Sequence, residues 1–165
     1  PRRATPHLCL MKLRTWMVLA CFAGTIATMS LGSCKHGCKD GHASLHSGTE
    51  SHNMGLNCQD CHHADGEGEV CWQVCGTAYD SISGNTMADV TVRLWTELGD
   101  SGQLVLTLEG DALGNFYTSD DPGVRAGLYP TVTTADGHVS RMTDRISSGA
   151  CNKCHGVSTD RIKVH

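Results

Sequence analysis

The chain has 165 residues, 10 of them cysteine and only 5% aromatic, enough for one small domain but poor in the bulky side chains of a self-sufficient core. Cross-links or bound cofactors are therefore expected to supply part of the stability. Its 13 basic and 17 acidic residues give a formal net charge of −4, which argues against nucleic acid or an anionic membrane as partner.

Residues 1–10 precede Met11 and are set aside. Met11-Lys12-Leu13-Arg14-Thr15 is a short basic start, followed by an apolar run over 16–26 and small residues up to Leu31-Gly32-Ser33-Cys34. That is the layout of an export signal, too short and wrongly flanked for a spanning helix. Residues 1–33 are thus predicted to be an upstream extension and a signal removed on export, placing the protein at the cell surface, outside the cell or in the periplasm. Leu31-Gly32-Ser33-Cys34 also resembles a bacterial lipobox, which would put a lipid anchor on Cys34. Ordinary cleavage would instead leave Cys34 for a disulfide, and both readings stand. Residues 1–33 hold Arg2, Arg3, Lys12 and Arg14 and no acid; taking those four from the 13 basic residues leaves 9 against 17 acids, a net of −8. Such a surface suits solubility outside the cell or docking with a basic partner.

Residues 34–69, a predicted N-terminal segment, are rich in His, Gly and Cys and lack apolar periodicity, so the segment needs something to fold around. It ends in Asn57-Cys58-Gln59-Asp60-Cys61-His62-His63. Residues 70–145 read as strands separated by turn signals: 71–79, 89–98, 104–108, 115–118, 127–133 and 138–145. In the second, Val90, Val92, Leu94 and Thr96 alternate onto one face. Short strands at even spacing with Gly, Asp and Asn turns predict a mainly β protein, a small antiparallel β-sandwich flanked by irregular N- and C-terminal segments. An even strand count would return the chain to the end where it entered. Residues 146–165, a predicted C-terminal segment, carry Cys151-Asn152-Lys153-Cys154-His155.

Cys58-x-x-Cys61-His62 and Cys151-x-x-Cys154-His155 are two copies of the c-type haem attachment motif. Two thiols three positions apart can add to the two vinyl groups of one porphyrin, and the adjoining His is held under the iron. Two covalently bound c-type haems are therefore expected, with His62 and His155 as proximal ligands, which makes 34–69 and 146–165 the irregular N- and C-terminal haem-binding segments. A Cys₄ zinc site would leave both histidines unexplained, and a thioredoxin-type site would want a βα context that is absent here. The histidines crowded before Cys58 argue for bis-His, low-spin coordination, which leaves no open position for a substrate; electron transfer is expected rather than catalysis. The other four cysteines from Cys34 on form two C-x₃-C pairs, Cys34/Cys38 and Cys71/Cys75. On one strand, Cys71 and Cys75 would lie about 13 Å apart, beyond disulfide reach, so each is expected to pair with Cys34 or Cys38.

Two resemblances add to this. Gly76-Thr77-Ala78-Tyr79-Asp80, 88–94 (ADVTVRL) and 111–117 (DALGNFY) resemble the carboxypeptidase-regulatory-like, transthyretin-like sandwiches, which implies a scaffold or adhesion role without catalysis. Residues 41–63, from Gly41-His42 through His46 and Ser51-His52 to His63, are similar to small multihaem cytochromes c. That resemblance implies distal ligands among His52 and His46 first, then His63, with His42 behind; His63 is the one most readily left as a spare. Some multihaem relatives polymerise into extracellular cytochrome filaments, and the resemblance extends to that possibility here. The expected function is thus an exported dihaem cytochrome carrying electrons outside the inner membrane between redox partner proteins or to an extracellular acceptor, as a single subunit or as a homopolymer with haem contacts between subunits. The alternative is a haem-bearing sandwich serving as an adhesion or sensor module on the cell surface.

Overall fold

The computed structural model describes residues 38–39 and 41–165. The predicted export signal, Cys34 and His36 lie outside the described residues. Among those described, no helix is long and apolar enough to cross a membrane.

All six strands expected between residues 70 and 145 are present: β1 (Val74–Asp80), β2 (Thr91–Glu97), β3 (Ser101–Glu109), β4 (Asn115–Thr118), β5 (Tyr129–Thr133) and β6 (Val139–Arg141). Two more, β7 (Gly149–Ala150) and β8 (Ile162–Val164), lie in the tail. One sheet runs β3-β2-β5-β6; the other is β4-β1, with β7 and β8 both on the free side of β1. The protein is mainly β, a small sandwich of two four-stranded sheets.

The alternation in β2 sets the core. Val90, Val92 and Leu94 are each 2% exposed or less. They meet Val74 and Ala78 of β1, Phe116 of β4, Leu108 of β3 and Val132 of β5 from the facing sheet and its neighbours. The turn into β4 is closed by Asp111, whose Oδ1 accepts from Leu113 N and Asn115 N, both at 2.9 Å. An Asx turn of this kind satisfies backbone donors that the end of β3 cannot.

Three boundaries differ from the sequence expectation. β1 begins at Val74, because Cys71 belongs to a preceding loop tied to the N-terminal arm. β6 stops at Arg141, and between it and β7 the chain makes the isolated bridge Leu128↔Ile146 rather than a continued strand. The sandwich also does not end at Arg145: β7 and β8 add to it, with Ala150 and Val164 buried in the core. They pair with β1 in parallel, Val74↔Gly149 and Cys75↔Ala150, then Ala78↔Ile162 to Asp80↔Val164. The sheet is therefore mixed rather than wholly antiparallel. Six strands bring the chain back to the end of β1 where it entered.

β7 and β8 act as two halves of one edge strand. Between them, residues 151–161 leave the sheet as an excursion that carries Cys151, Cys154 and His155.

Candidate functional site

Each C-x-x-C-H motif folds as a single 3₁₀ turn. In the first, covering Cys58–Asp60, Cys61 N and His62 N both donate to Cys58 O, at 3.3 and 2.9 Å. In the second, Cys151–Lys153, Cys154 N and His155 N donate to Cys151 O at 3.2 and 3.0 Å. The turn bonds the backbone of the following histidine back to its own first cysteine. Short spacing therefore translates into two thiols and one imidazole on one small surface.

Both imidazoles are held the same way. His62 Nδ1 lies 2.9 Å from Val70 O, and His155 Nδ1 lies 2.6 Å from Asp160 O. A carbonyl only accepts, so the proton is assigned to Nδ1 in each ring, leaving the Nε2 lone pair free for a metal. The His62 ring is held further by Trp72, 5.2 Å away, which stacks in turn on Tyr117 at 4.5 Å. Trp72 is pinned through its backbone: its N donates to His62 O and its O accepts from Gln59 Nε2. On the other side, a Cβ at Gly68 would sit 2.4 Å from His62 Nδ1, so only glycine lets the 64–69 loop wrap this ring.

The two motifs converge on β1. Gly76 is the point of closest approach, where an added Cβ would meet Cys151 Cβ at 2.9 Å and Phe116 Cζ at 2.5 Å. Asn152, only 3% exposed, fills the gap that the excursion leaves in the ladder. Its Oδ1 accepts from Thr77 N at 3.1 Å, while Nδ2 donates to Thr77 Oγ1 and Leu56 O, both at 2.9 Å. Leu56 immediately precedes the first motif, so one side chain ties both motifs to the same strand.

Cys75, buried on β1, lies between the first cysteines of the two motifs. A hydrogen bond from the Cys75 thiol lowers the pKa of Cys58 and, reciprocally, raises that of Cys75, to which burial adds. Burial pushes the Cys151 thiol up to about 12, with the nearby Cys58 charge acting in the same sense. Cys61 and Cys154 are exposed.

Each motif opens on a cavity. The first, about 220 Å³, is lined by Cys58, Cys61, His62, His52, Leu56 and Trp72 among others. Here the His52 and His62 rings stand 5.9 Å apart. The second cavity, about 580 Å³, has Cys151, Cys154 and His155 on its wall and the apolar side chains of Val74, Leu94 and Phe116 behind them. This lies within the range of about 300–1,000 Å³ usual for cofactor sites. Two thiols and one imidazole with a free nitrogen are the donors that a covalently attached haem would use, and both motifs offer them; the second cavity has a cofactor's volume, while the first, at about 220 Å³, is smaller than that range. Among the described residues, no three or more His, Cys, Asp or Glu side chains converge as a bare metal ion would require.

The remaining predicted residues are dispersed. His46 turns to Asp89, its Nδ1 3.4 Å from Oδ1, while its backbone N donates to Glu109 Oε2. His42 is exposed and bonds Ser119 through its backbone. His63 is exposed, with Nδ1 2.7 Å from Ala64 O. None of the three lines either cavity. Cys38 and Cys71 form a disulfide, so the N-terminal arm is joined to the approach to β1. Cys75 stands free, and Cys34, the partner left to it once Cys38 joins Cys71, lies outside the described residues. The expectation placed Cys71 and Cys75 on one strand face, but only Cys75 lies in β1, and its side chain turns inward to Cys58. Asn152, Trp72 and Tyr117 were not singled out from sequence. Trp72 follows the first motif by ten residues, and only the fold lays it against His62.

No family profile, curated protein or solved structure matches this chain. Fold and site thus define the protein by construction: a small β-sandwich carrying two convergent C-x-x-C-H turns of the same conformation.

Proposed function

We propose that this protein is an exported dihaem c-type cytochrome, an electron carrier working outside the inner membrane. The observation that carries the proposal is that two like turns, each with its imidazole Nδ1 satisfied and Nε2 free, are brought to one strand and each faces a cavity. Haem would supply reversible one-electron iron chemistry at both places. Cys58 and Cys61, and Cys151 and Cys154, would form the thioether links. His62 and His155 would take the proximal positions, and His52 is the residue placed to face His62. Val70 O and Asp160 O fix the ring tautomers, and Asn152 fixes the distance between the sites. A disulfide beside free attachment thiols accords with an oxidising compartment outside the cytoplasm.

The test is the haem-to-protein ratio of purified protein, from intact mass and alkaline pyridine spectra. Two covalent haems per chain are expected; one or none overturns the proposal. A ferric spectrum that is low-spin and unresponsive to carbon monoxide after reduction supports transfer over sensing.

A homopolymer is a second level of the same proposal, favoured by β3. This nine-residue strand is the open edge of its sheet and exposes Leu104 (41%) and Val105 (36%). Long apolar edges of this kind invite pairing with another chain. Electron microscopy of the holoprotein decides it: filaments are expected, and uniform small particles at all concentrations refute it.

A further inference from the structure

We propose that the two haem sites are unequal: the C-terminal site, with Met142 as its second axial donor, has the higher reduction potential, and the N-terminal site the lower. This rests on the dihaem proposal above. From Cys34 on, the chain holds nine basic residues, and five of them, Arg141, Arg145, Lys153, Arg161 and Lys163, line the C-terminal cavity, where Asp144 is the only acid. Gathering more than half of the scarce cations of an acidic chain at one cavity is the distribution expected where an anionic group is to be bound.

Pairing does not remove the excess. Arg141 Nη2 lies 2.6 Å from Asp100 Oδ2, and Lys163 Nζ lies 3.6 Å from Asp160 Oδ2. Arg161 and Arg145 lie over the rings of Tyr79 and Tyr129, at 4.5 and 5.8 Å, contacts that leave the charge in place. Counting Asp100, Asp144 and Asp160 against the five cations leaves a net of +2. The N-terminal cavity has Glu50 and Asp60 and no Lys or Arg, a net of −2. The two carboxylates of a porphyrin pair readily with arginine and lysine, and only the C-terminal cavity offers them.

The sign follows from Coulomb's law. Reduction adds an electron, which cations stabilise and carboxylates oppose. The apolar wall of Val74, Leu94 and Phe116 lowers the local dielectric and strengthens the effect. Ligation acts in the same direction. His52 faces His62 at the N-terminal site, whereas no histidine besides His155 lines the C-terminal cavity and Met142 does. A thioether in place of a second imidazole raises the potential of a haem iron. An electron shared between the sites therefore rests at the C-terminal one; it is lost at one iron and gained at the other, and no atom moves.

Spectroelectrochemical titration of the holoprotein tests this, once mass has shown two covalent haems. Two one-electron steps are expected. Lys153→Gln combined with Arg161→Gln, both exposed, should lower the upper step and leave the lower one in place. Met142→His should also lower the upper step and abolish the weak far-red absorption of ferric iron bound to a thioether. A single unresolved step, movement of the lower step in the Lys153/Arg161 variant, or an unchanged spectrum in Met142→His overturns the inference while leaving the dihaem proposal intact. Fewer than two haems overturns that proposal instead.

Discussion

Replacing Asn152 by Ala removes the side chain that joins the two motifs, and the structure allows the cost to be worked out group by group. Thr77 is 1% exposed, so its N–H, which now donates to Asn152 Oδ1, would be left without a partner inside the sheet. An orphaned buried donor costs about 1–3 kcal/mol. Thr77 Oγ1 loses one bond but keeps those with Asn115 Oδ1 (2.6 Å) and Gly55 N (2.9 Å). Leu56 is 63% exposed, and its carbonyl can bond water instead. The expected loss is therefore about 2–3 kcal/mol, near the cost of the amide alone. For a domain of this size that corresponds to roughly 10 °C in Tm.

Thermal unfolding of the holoprotein, followed by far-ultraviolet circular dichroism, measures it. Arg125→Ala, at an exposed position that lines neither cavity, is the control and should shift Tm by under about 2 °C. Asn152→Asp adds a sign. Asp keeps an acceptor for Thr77 N but turns an ionised oxygen toward Leu56 O and Thr77 Oγ1, so burial raises its folded-state pKa above the ordinary value of about 3.9. Its deficit should be smallest below that value and grow as pH rises through the raised one. If Asn152→Ala melts within about 2 °C of the parent, Asn152 is no strut, and the fixed separation of the motifs needs another cause.

Three further outcomes follow from named contacts. Gly68→Ala forces a Cβ onto the His62 ring and should loosen its bond to Val70 O, seen as high-spin character at one haem of two; a fully low-spin spectrum refutes that placement. Removing the disulfide by Cys38→Ser with Cys71→Ser opens a loop of sequence separation 33 and should cost about 3–4 kcal/mol in denaturant unfolding; a loss under about 1 kcal/mol would mean that the arm is held by other contacts. In folded, haem-free protein, alkylation mapped by mass across pH should find Cys58 reacting below the ordinary thiol range and Cys151 protected until about pH 12. Equal labelling of the two at pH 8 contradicts the Cys75–Cys58 hydrogen bond.

The strands that alternate over five or more residues were legible in the sequence, because period-two burial leaves its mark wherever one face meets a core. Val90, Val92 and Leu94 are the clearest case. β7 and β8 were not legible: two and three residues are too few to show a period, and what makes them strands is their register with β1, which lies far away in sequence. The same non-locality hid Asn152. An Asn between two cysteines reads as filler until Thr77, 75 positions earlier, is seen to offer an unpaired N–H. Cysteine spacing gave the disulfide partly, since Cys38 does pair across to Cys71, but the inward turn of Cys75 depends on where β1 starts. Among the four histidines named as distal candidates, sequence distance from Cys58 could not rank their directions. Folding turns His52 to His62, and His46 to Asp89.

Cys58 and Cys151 are 93 positions apart, yet both lie against a strand seven residues long. A flexible linker could also bring two such motifs together, at a closure cost that rises only logarithmically with length, but it would leave their separation fluctuating. Packed strands hold it within a fraction of an ångström, because core side chains have no room to slide. The sandwich therefore does for the pair what neither C-x-x-C-H turn can do alone. β1 aligns the first motif at its head, the parallel edge strand opens beside it to present the second, and Asn152 closes the gap in hydrogen bonding that the opening leaves. Transfer between two centres depends steeply on their distance. A rigid sheet interrupted at one edge is thus a direct physical route from two local C-x-x-C-H turns to a pair of sites at a fixed separation.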